Sequence, residues 1–294
     1  MEVIPLLPEV VAMTQAAPPT VCLSFDFDQM SSRIFRGDTT PTPLSRGEYG
    51  ARVGMPRILE LLRREGIPAT FFVPGHSADT FPRLVEQTLQ DGHELGHHGW
   101  LHEVPATQTE EQERTILLRG IDSLQRISGL KPAGYRSPSW DLSPHSIRLL
   151  REFDFRYDSS LMADDFRLYW CREGDVPHTD RAFEFGRETE LIEMPVSWLL
   201  DDFPLFEYDQ RTRTGMAPAS RVEEIWRDEF DYMAERVPGG VFTLTMHPQV
   251  IGRGHRMLMI ERLIRHMRER GAVFQRMGDV AEQWRATHEA ARTA

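Results

Sequence analysis

Four short clusters hold the residue types best suited to chemistry. The first is Ser24-Phe25-Asp26-Phe27-Asp28, where the apolar run Val21–Phe25 ends. Alternate side chains of an extended chain share a side, so Asp26 and Asp28 bring two carboxylates together at a strand end. Such crowding is costly unless a cation or a proton-accepting role offsets it, and taken alone the pair also reads as a solvated acidic turn. The second cluster runs from Asp91 to His102 and holds His93, His97, His98 and His102. The pairs His93/His97 and His98/His102 both have i,i+4 spacing, which on one helical turn aims two imidazoles at a common ion. Spacing does not choose between the pairs. The third cluster is Gly134-Tyr135-Arg136-Ser137-Pro138-Ser139-Trp140, and the fourth is Leu244-Thr245-Met246-His247-Pro248. A histidine just before proline has a restrained backbone, which suits a fixed acid or base as well as a buried structural role.

These clusters have to be held by a scaffold, and the alternation of short apolar runs with helical periods supplies one. Strands are predicted at Val21–Phe25, Ala69–Val73, Ala133–Tyr135, Leu191–Val196, Gly240–Thr245 and Ala272–Gln275. Helices are predicted at about Ala51–Arg64, Thr109–Ile127, Ser143–Phe153, Arg221–Arg236 and Arg256–Arg270, with Ser143-Pro144 as an N-cap and first helical residue. Such βα alternation is the signature of a parallel sheet, and Asp26, Asp28, Arg136 and His247 all fall where predicted strands end. Barrel enzymes assemble their sites at that pole. Two stretches exceed a minimal barrel, 29–49 and 162–220, and connections of that length are lids or binding loops in compact domains. Within the second, Phe166, Tyr169, Trp170, Trp198, Phe203, Phe206 and Tyr208 could roof a pocket or simply fill core.

In this order the motifs SFDFD, GHHGWLH, YRSPSW and LTMHP resemble the polysaccharide deacetylase family of carbohydrate esterases, from about Val21 to Trp284. The segments Arg46-Gly47-Glu48-Tyr49-Gly50, Phe71-Phe72-Val73-Pro74-Gly75-His76, Glu193-Met194-Pro195 and Leu200-Asp201-Asp202 resemble its branch of cyclic imide hydrolases, peptidoglycan-deacetylase-like proteins and metal-free allantoinases. The resemblance implies one α/β domain over 1–294, a distorted (β/α) barrel of seven strands with its core at about 20–284. It implies Asp28, His98 and His102 as ligands of one divalent ion, with His97 where many relatives have Asn. Asp26 then matches the catalytic base, Arg136 the residue holding that base, and His247 the general acid. The metal-free allantoinases lack the full ligand set that this chain keeps, so the resemblance favours metal dependence. Zinc is the first expectation, with Ni, Co, Mn or Fe also compatible with a His₂Asp set. Trp140, Trp198, Glu193 and Arg253 are the candidate substrate contacts. The middle of the chain departs from the family's usual fourth motif, which weakens the case for a sugar substrate.

Composition narrows the function further. The chain has 294 residues, 34 Lys+Arg against 45 Asp+Glu and a formal net charge of -11, so no broad basic face is expected for nucleic acid. Two cysteines, Cys22 and Cys171, are too few for a disulfide scaffold and fit a reducing compartment. Glu2, Pro5, Pro8 and Glu9 interrupt the apolar start and no basic segment precedes it, so the expected location is cytoplasmic. No run approaches the roughly eighteen apolar residues of a membrane span. The expected activity is hydrolysis of a non-peptide C–N bond, opening a small cyclic imide or ureide. An N-deacetylase of acetylated amino sugars or peptidoglycan is the alternative, and a non-catalytic binding barrel the third reading. A homo-oligomer is expected by resemblance alone.

Overall fold

The computed structural model describes residues 17–208 and 213–292, so the N-terminal stretch read against export lies, up to residue 16, outside the described residues. The strands are β1 (Thr20–Asp26), β2 (Thr70–Val73), β3 (Glu94–His97), β4 (Gly134–Tyr135), β5 (Tyr157–Asp158), β6 (Tyr169–Glu173), β7 (Arg187–Glu193), β8 (Val241–Met246) and β9 (Val273–Phe274). They pair in the order β6-β7-β5-β4-β3-β2-β1-β8, with β9 added at the start of β1. The seven strands from β7 through to β8 run parallel and β9 joins β1 in parallel as an eighth, one more than the seven expected; β6 is an antiparallel addition on β7. Beyond β8 the ladder is continued by a parallel bridge between Asp201 and Thr245, so the sheet curls toward closure.

Sequence explains the central strands directly. β1 and β8 are buried almost throughout, and strands covered on both faces read as continuous apolar runs rather than as alternation. The helix Glu110–Ser128 is delimited by a reciprocal cap, Thr109 accepting from Gln112 N while Gln112 accepts from Thr109 N, and by Gly129 at φ 74°. Its acidic first turn, Glu110, Glu111 and Glu113, complements the helix dipole. Met55–Glu65 stops at Gly66 (φ 61°) and packs Ile58, Leu59, Leu61 and Leu62 into the main core with Phe71, Phe242 and Trp226.

Several expectations need correcting. The strands β3, β5 and β6 were not legible: β3 reads Glu-Leu-Gly-His, and β5 is two residues long. The His98/His102 pair does not share a helical turn; both lie on the loop after β3, and His102 adopts φ 66°. Residues 29–49 are not an irregular loop but contain helices Ser31–Phe35 and Pro41–Tyr49. Ser143 does not cap its helix, which begins at Ser146 after His145; its hydroxyl instead accepts from His145 N. The 162–220 insertion is largely no lid. Its first half is the β6–β7 hairpin, extended by a bridge between Val176 and Glu184, and Phe166, Trp170 and Phe206 are buried in core.

Candidate active site

The C-terminal pole of the sheet gathers the side chains that the sequence separates. Asp26 ends β1 and Asp28 follows it; His98 leaves β3, Arg136 leaves β4 and His247 leaves β8. All five, together with His102, are buried. The turn carrying Pro248 packs against Gly54 so closely that any Cβ at position 54 would overlap the Pro248 carbonyl, which fixes the segment on which His247 sits.

Arg136 organises the acidic side. Its Nη1 donates to Asp26 Oδ1 at 2.8 Å and to Ser24 Oγ at 2.9 Å, while Nη2 donates to Ser159 Oγ at 3.0 Å and Nε to Ser159 O at 3.2 Å. The guanidinium also lies 4.1 Å above the Phe72 ring. A buried cation held this completely fixes one oxygen of Asp26 and leaves the other, Oδ2, turned toward His98 (3.7 Å) and His247 (3.9 Å).

Asp28, His98 and His102 form the metal-type cluster. His98 Nε2 lies 3.4 Å from Asp28 Oδ1 and His102 Nε2 lies 3.4 Å from Asp28 Oδ2. One ligand atom from each of the three can be chosen within 4.8 Å of the others. Two features fit an ion there. Asp28 Oδ1 is buried without a hydrogen-bond partner, and His98 Nδ1 lies 2.7 Å from the Arg136 carbonyl, a contact that puts the proton on Nδ1 and frees Nε2 as a donor of electrons. Burial opposes ionisation of Asp28, yet His102, His98 and His247 hold its carboxyl well below the usual range. Burial pushes His102 down to about 4, so it is a neutral imidazole at neutral pH, the form that ligates metals.

His247 has a different environment. Its Nδ1 lies 2.7 Å from Asp202 Oδ1 and 3.6 Å from Asp201 Oδ1, and its Nε2 faces Asp28 Oδ2 at 3.9 Å. Burial works against its charge, but the Asp202 hydrogen bond and the two carboxylates raise its pKa well above the ordinary value. Asp201 is itself pushed up to about 7, by burial first and then by Asp202. Asp201, Asp202 and His247 also satisfy the spacing of a metal-type cluster. However, the short Asp202–Nδ1 bond is that of a carboxylate orienting an imidazole. Asp202 was given no role by sequence reasoning: it stands 45 positions from His247, and it entered only within the segment Leu200-Asp201-Asp202 that carries the resemblance.

A cavity of about 150 Å³ opens over these groups, lined by Asp26, Asp28, His98, His102, Asp201 and His247, and walled by Arg36, Ser139, Trp140, Trp198 and Phe203. Trp140 and Trp198 pack with ring centroids 4.4 Å apart. Ser139 (φ 59°) and Trp140 (φ 52°) are consecutive left-handed residues, a strained turn that sets the Trp140 indole over the site. The other two candidate substrate contacts lie elsewhere. Glu193 is fully buried beneath the pole, accepting from Ser160 N and Leu161 N, and Arg253 stacks on Tyr49 at 3.5 Å. Neither lines the cavity. His93 and His97 are also excluded from it: His97 is buried with its ring against Tyr135, and His93 sits before β3 at the other end of the strand.

Such an arrangement can bind an oxygen at a divalent ion, take a proton from water on one side and deliver a proton on the other. Known proteins carry related chains. The polysaccharide deacetylase family model matches residues 38–157. A peptidoglycan deacetylase of Helicobacter pylori is 33% identical over 267 residues, covering 86% of this chain and 91% of that one. A solved Mycobacterium smegmatis protein assigned as a polysaccharide deacetylase superposes with TM-score 0.80 at 33% identity, over 96% of each chain. The PuuE allantoinase shares the fold, with TM-score 0.75 at 24% identity over 92% of this chain and 91% of that one.

Proposed function

The chain belongs to the polysaccharide deacetylase family, and on that premise we propose that it is a divalent-metal-dependent hydrolase of non-peptide C–N bonds that opens a small cyclic imide or ureide. The observation that carries this reading is the size of the cavity, about 150 Å³ between the acid–base groups and two packed indoles, which suits a small planar ring. In this proposal Asp28, His98 and His102 hold the ion. When bound, the ion would polarise the substrate carbonyl and lower the pKa of an attacking water.

The chain's own residues supply the rest. Asp26, pointed by Arg136, accepts the proton of the attacking water at Oδ2. His247, protonated at Nε2 and oriented through Nδ1 by Asp202, hands its proton to the departing nitrogen. Trp140 and Trp198 exclude water and orient the ring. A pure binding barrel would need neither a separate base nor a separate acid, which weighs against the non-catalytic reading. A cytoplasmic location and a homo-oligomeric state belong to the same proposal.

A second reading, N-deacetylation of acetylated amino sugars or peptidoglycan, is favoured by the likeness to the H. pylori peptidoglycan deacetylase along nearly its whole length. One panel separates the two: succinimide, hydantoin, dihydrouracil, allantoin and acetylated glucosamine oligomers, assayed side by side. Ring opening exceeding acetate release is the expected result. Efficient acetate release without ring opening would establish the deacetylase reading instead.

A further inference from the structure

Arg36 is the one arginine of its neighbourhood without a carboxylate partner among the described residues. It lines the catalytic cavity and also a second cavity of about 750 Å³ beside it; Phe203 is the other residue common to both. The second cavity carries two more arginines, Arg33 and Arg46, but both are engaged by Glu207, and Arg33 also has Asp38 at 3.8 Å. The Arg36 guanidinium instead lies 5.7 Å from the Phe203 ring centroid, at the rim where the two cavities meet.

The position of Arg36 relative to the chemistry is fixed by one short helix. Ser31 N donates to the Asp28 carbonyl at 2.9 Å, and Ser77 Oγ donates to the same oxygen at 2.8 Å. The helix Ser31–Phe35 then ends at Arg36, whose N–H returns to Ser32 O, and Gly37 at φ 83° turns the chain away. A planar fork beside an aromatic face matches a carboxylate in shape as well as charge. One cation without a carboxylate partner among the described residues balances one negative charge, which fits a carboxylate better than a phosphate dianion. The net charge of -11 works against long-range attraction of any anion, so recognition has to come from a local contact.

We propose that Arg36 selects substrates bearing a carboxylate, which it holds beside Phe203 while the scissile bond lies among Asp26, Asp28 and His247. This deepens, and rests on, the amidohydrolase reading: the preferred ring carries an acidic substituent.

The test uses pairs differing by a carboxylate: dihydrouracil against dihydroorotate, and hydantoin against hydantoin-5-acetate, with wild type, Arg36→Gln and Arg36→Lys. The wild type should favour the carboxylate member of each pair. Arg36→Gln should lower the anionic-to-neutral ratio of kcat/KM about tenfold, through KM, as befits a charged hydrogen bond at a partly open rim. Arg36→Lys, a point charge without the fork, should retain part of the preference. A ratio that Arg36→Gln leaves unmoved, or a wild type that prefers the neutral member, overturns the proposal. Calorimetric titration of the metal-loaded chain with succinamate and with butanamide keeps the test independent of turnover. Tighter binding of succinamate that Arg36→Gln abolishes would uphold the role of Arg36 even if no ring is opened, in which case the ring-opening reading alone fails. Equal binding of the two amides by the wild type would refute the role of Arg36 whatever the panel of rings shows.

Discussion

Asp202 Oδ1 and His247 Nδ1 lie 2.7 Å apart, which leaves His247 Nε2 as the only ring nitrogen facing the cavity. The bond fixes the tautomer and favours the imidazolium. His247→Ala is expected to keep the fold and lower kcat on the order of 10²–10⁴-fold, the usual worth of a general acid. Asp202→Asn removes the charge that raises the pKa of His247, so the alkaline limb of the kcat–pH profile should move to lower pH. An unshifted limb in Asp202→Asn would separate His247 from the proton delivery assigned to it.

Arg136 and Asp26 form a buried pair at 2.8 Å. Removing the cation leaves a carboxylate uncompensated, so Arg136→Met should lower unfolding free energy by about 3–5 kcal/mol. Chemical denaturation measures this. A loss below about 1 kcal/mol would contradict the claim that the buried Asp26 carboxylate depends on this cation.

Asp158 and Glu193 face each other in register on β5 and β7, both fully buried. Burial raises Asp158 to about 6, and burial with Asp158 alongside raises Glu193 well above the usual carboxylate value. Raised acids bind protons more tightly in the folded chain. Their contribution is therefore complete below the unfolded carboxylate range, near pH 4, and declines as pH rises through 6 and beyond. Unfolding free energy should fall between pH 5 and pH 8 on the order of 2 kcal/mol, and Glu193→Gln should flatten that slope. A wild-type curve that rises over this interval would contradict the raised proton affinity of these two buried carboxyls.

How far the sequence foretold this depends on where each residue sits. Asp26, Arg136 and His247 end strands whose apolar runs are plain, so their convergence followed from the rule that parallel barrels expose strand C-termini at one pole. His98 and His102 do meet, but through a loop with a left-handed His102 rather than a helical turn; i,i+4 spacing carries no information once the backbone is not helical. The strand β3 was hidden because Gly96 and His97 interrupt its apolar character while parallel pairing to β2 and β4 supplies its stability. Glu193 and Arg253 were attractive by type, yet one is beneath the pole and the other is stacked on Tyr49. Arg36 was not singled out and Asp202, though part of the quoted Leu200-Asp201-Asp202 segment, was given no role, since their importance lies in which neighbours they have, and those neighbours are distant in sequence.

Metal analysis of the purified chain and its variants tests the central claim, that Asp28, His98 and His102 hold one divalent ion on which hydrolysis depends. The wild type should carry about one ion per chain, Asp28→Ala and His98→Ala should lose it, and Asp201→Ala should keep it. Chelation should abolish turnover reversibly, with activity returning in proportion to restored metal. Full occupancy in Asp28→Ala and His98→Ala, with loss in Asp201→Ala, would place the ion at the Asp201, Asp202 and His247 cluster instead and contradict the account.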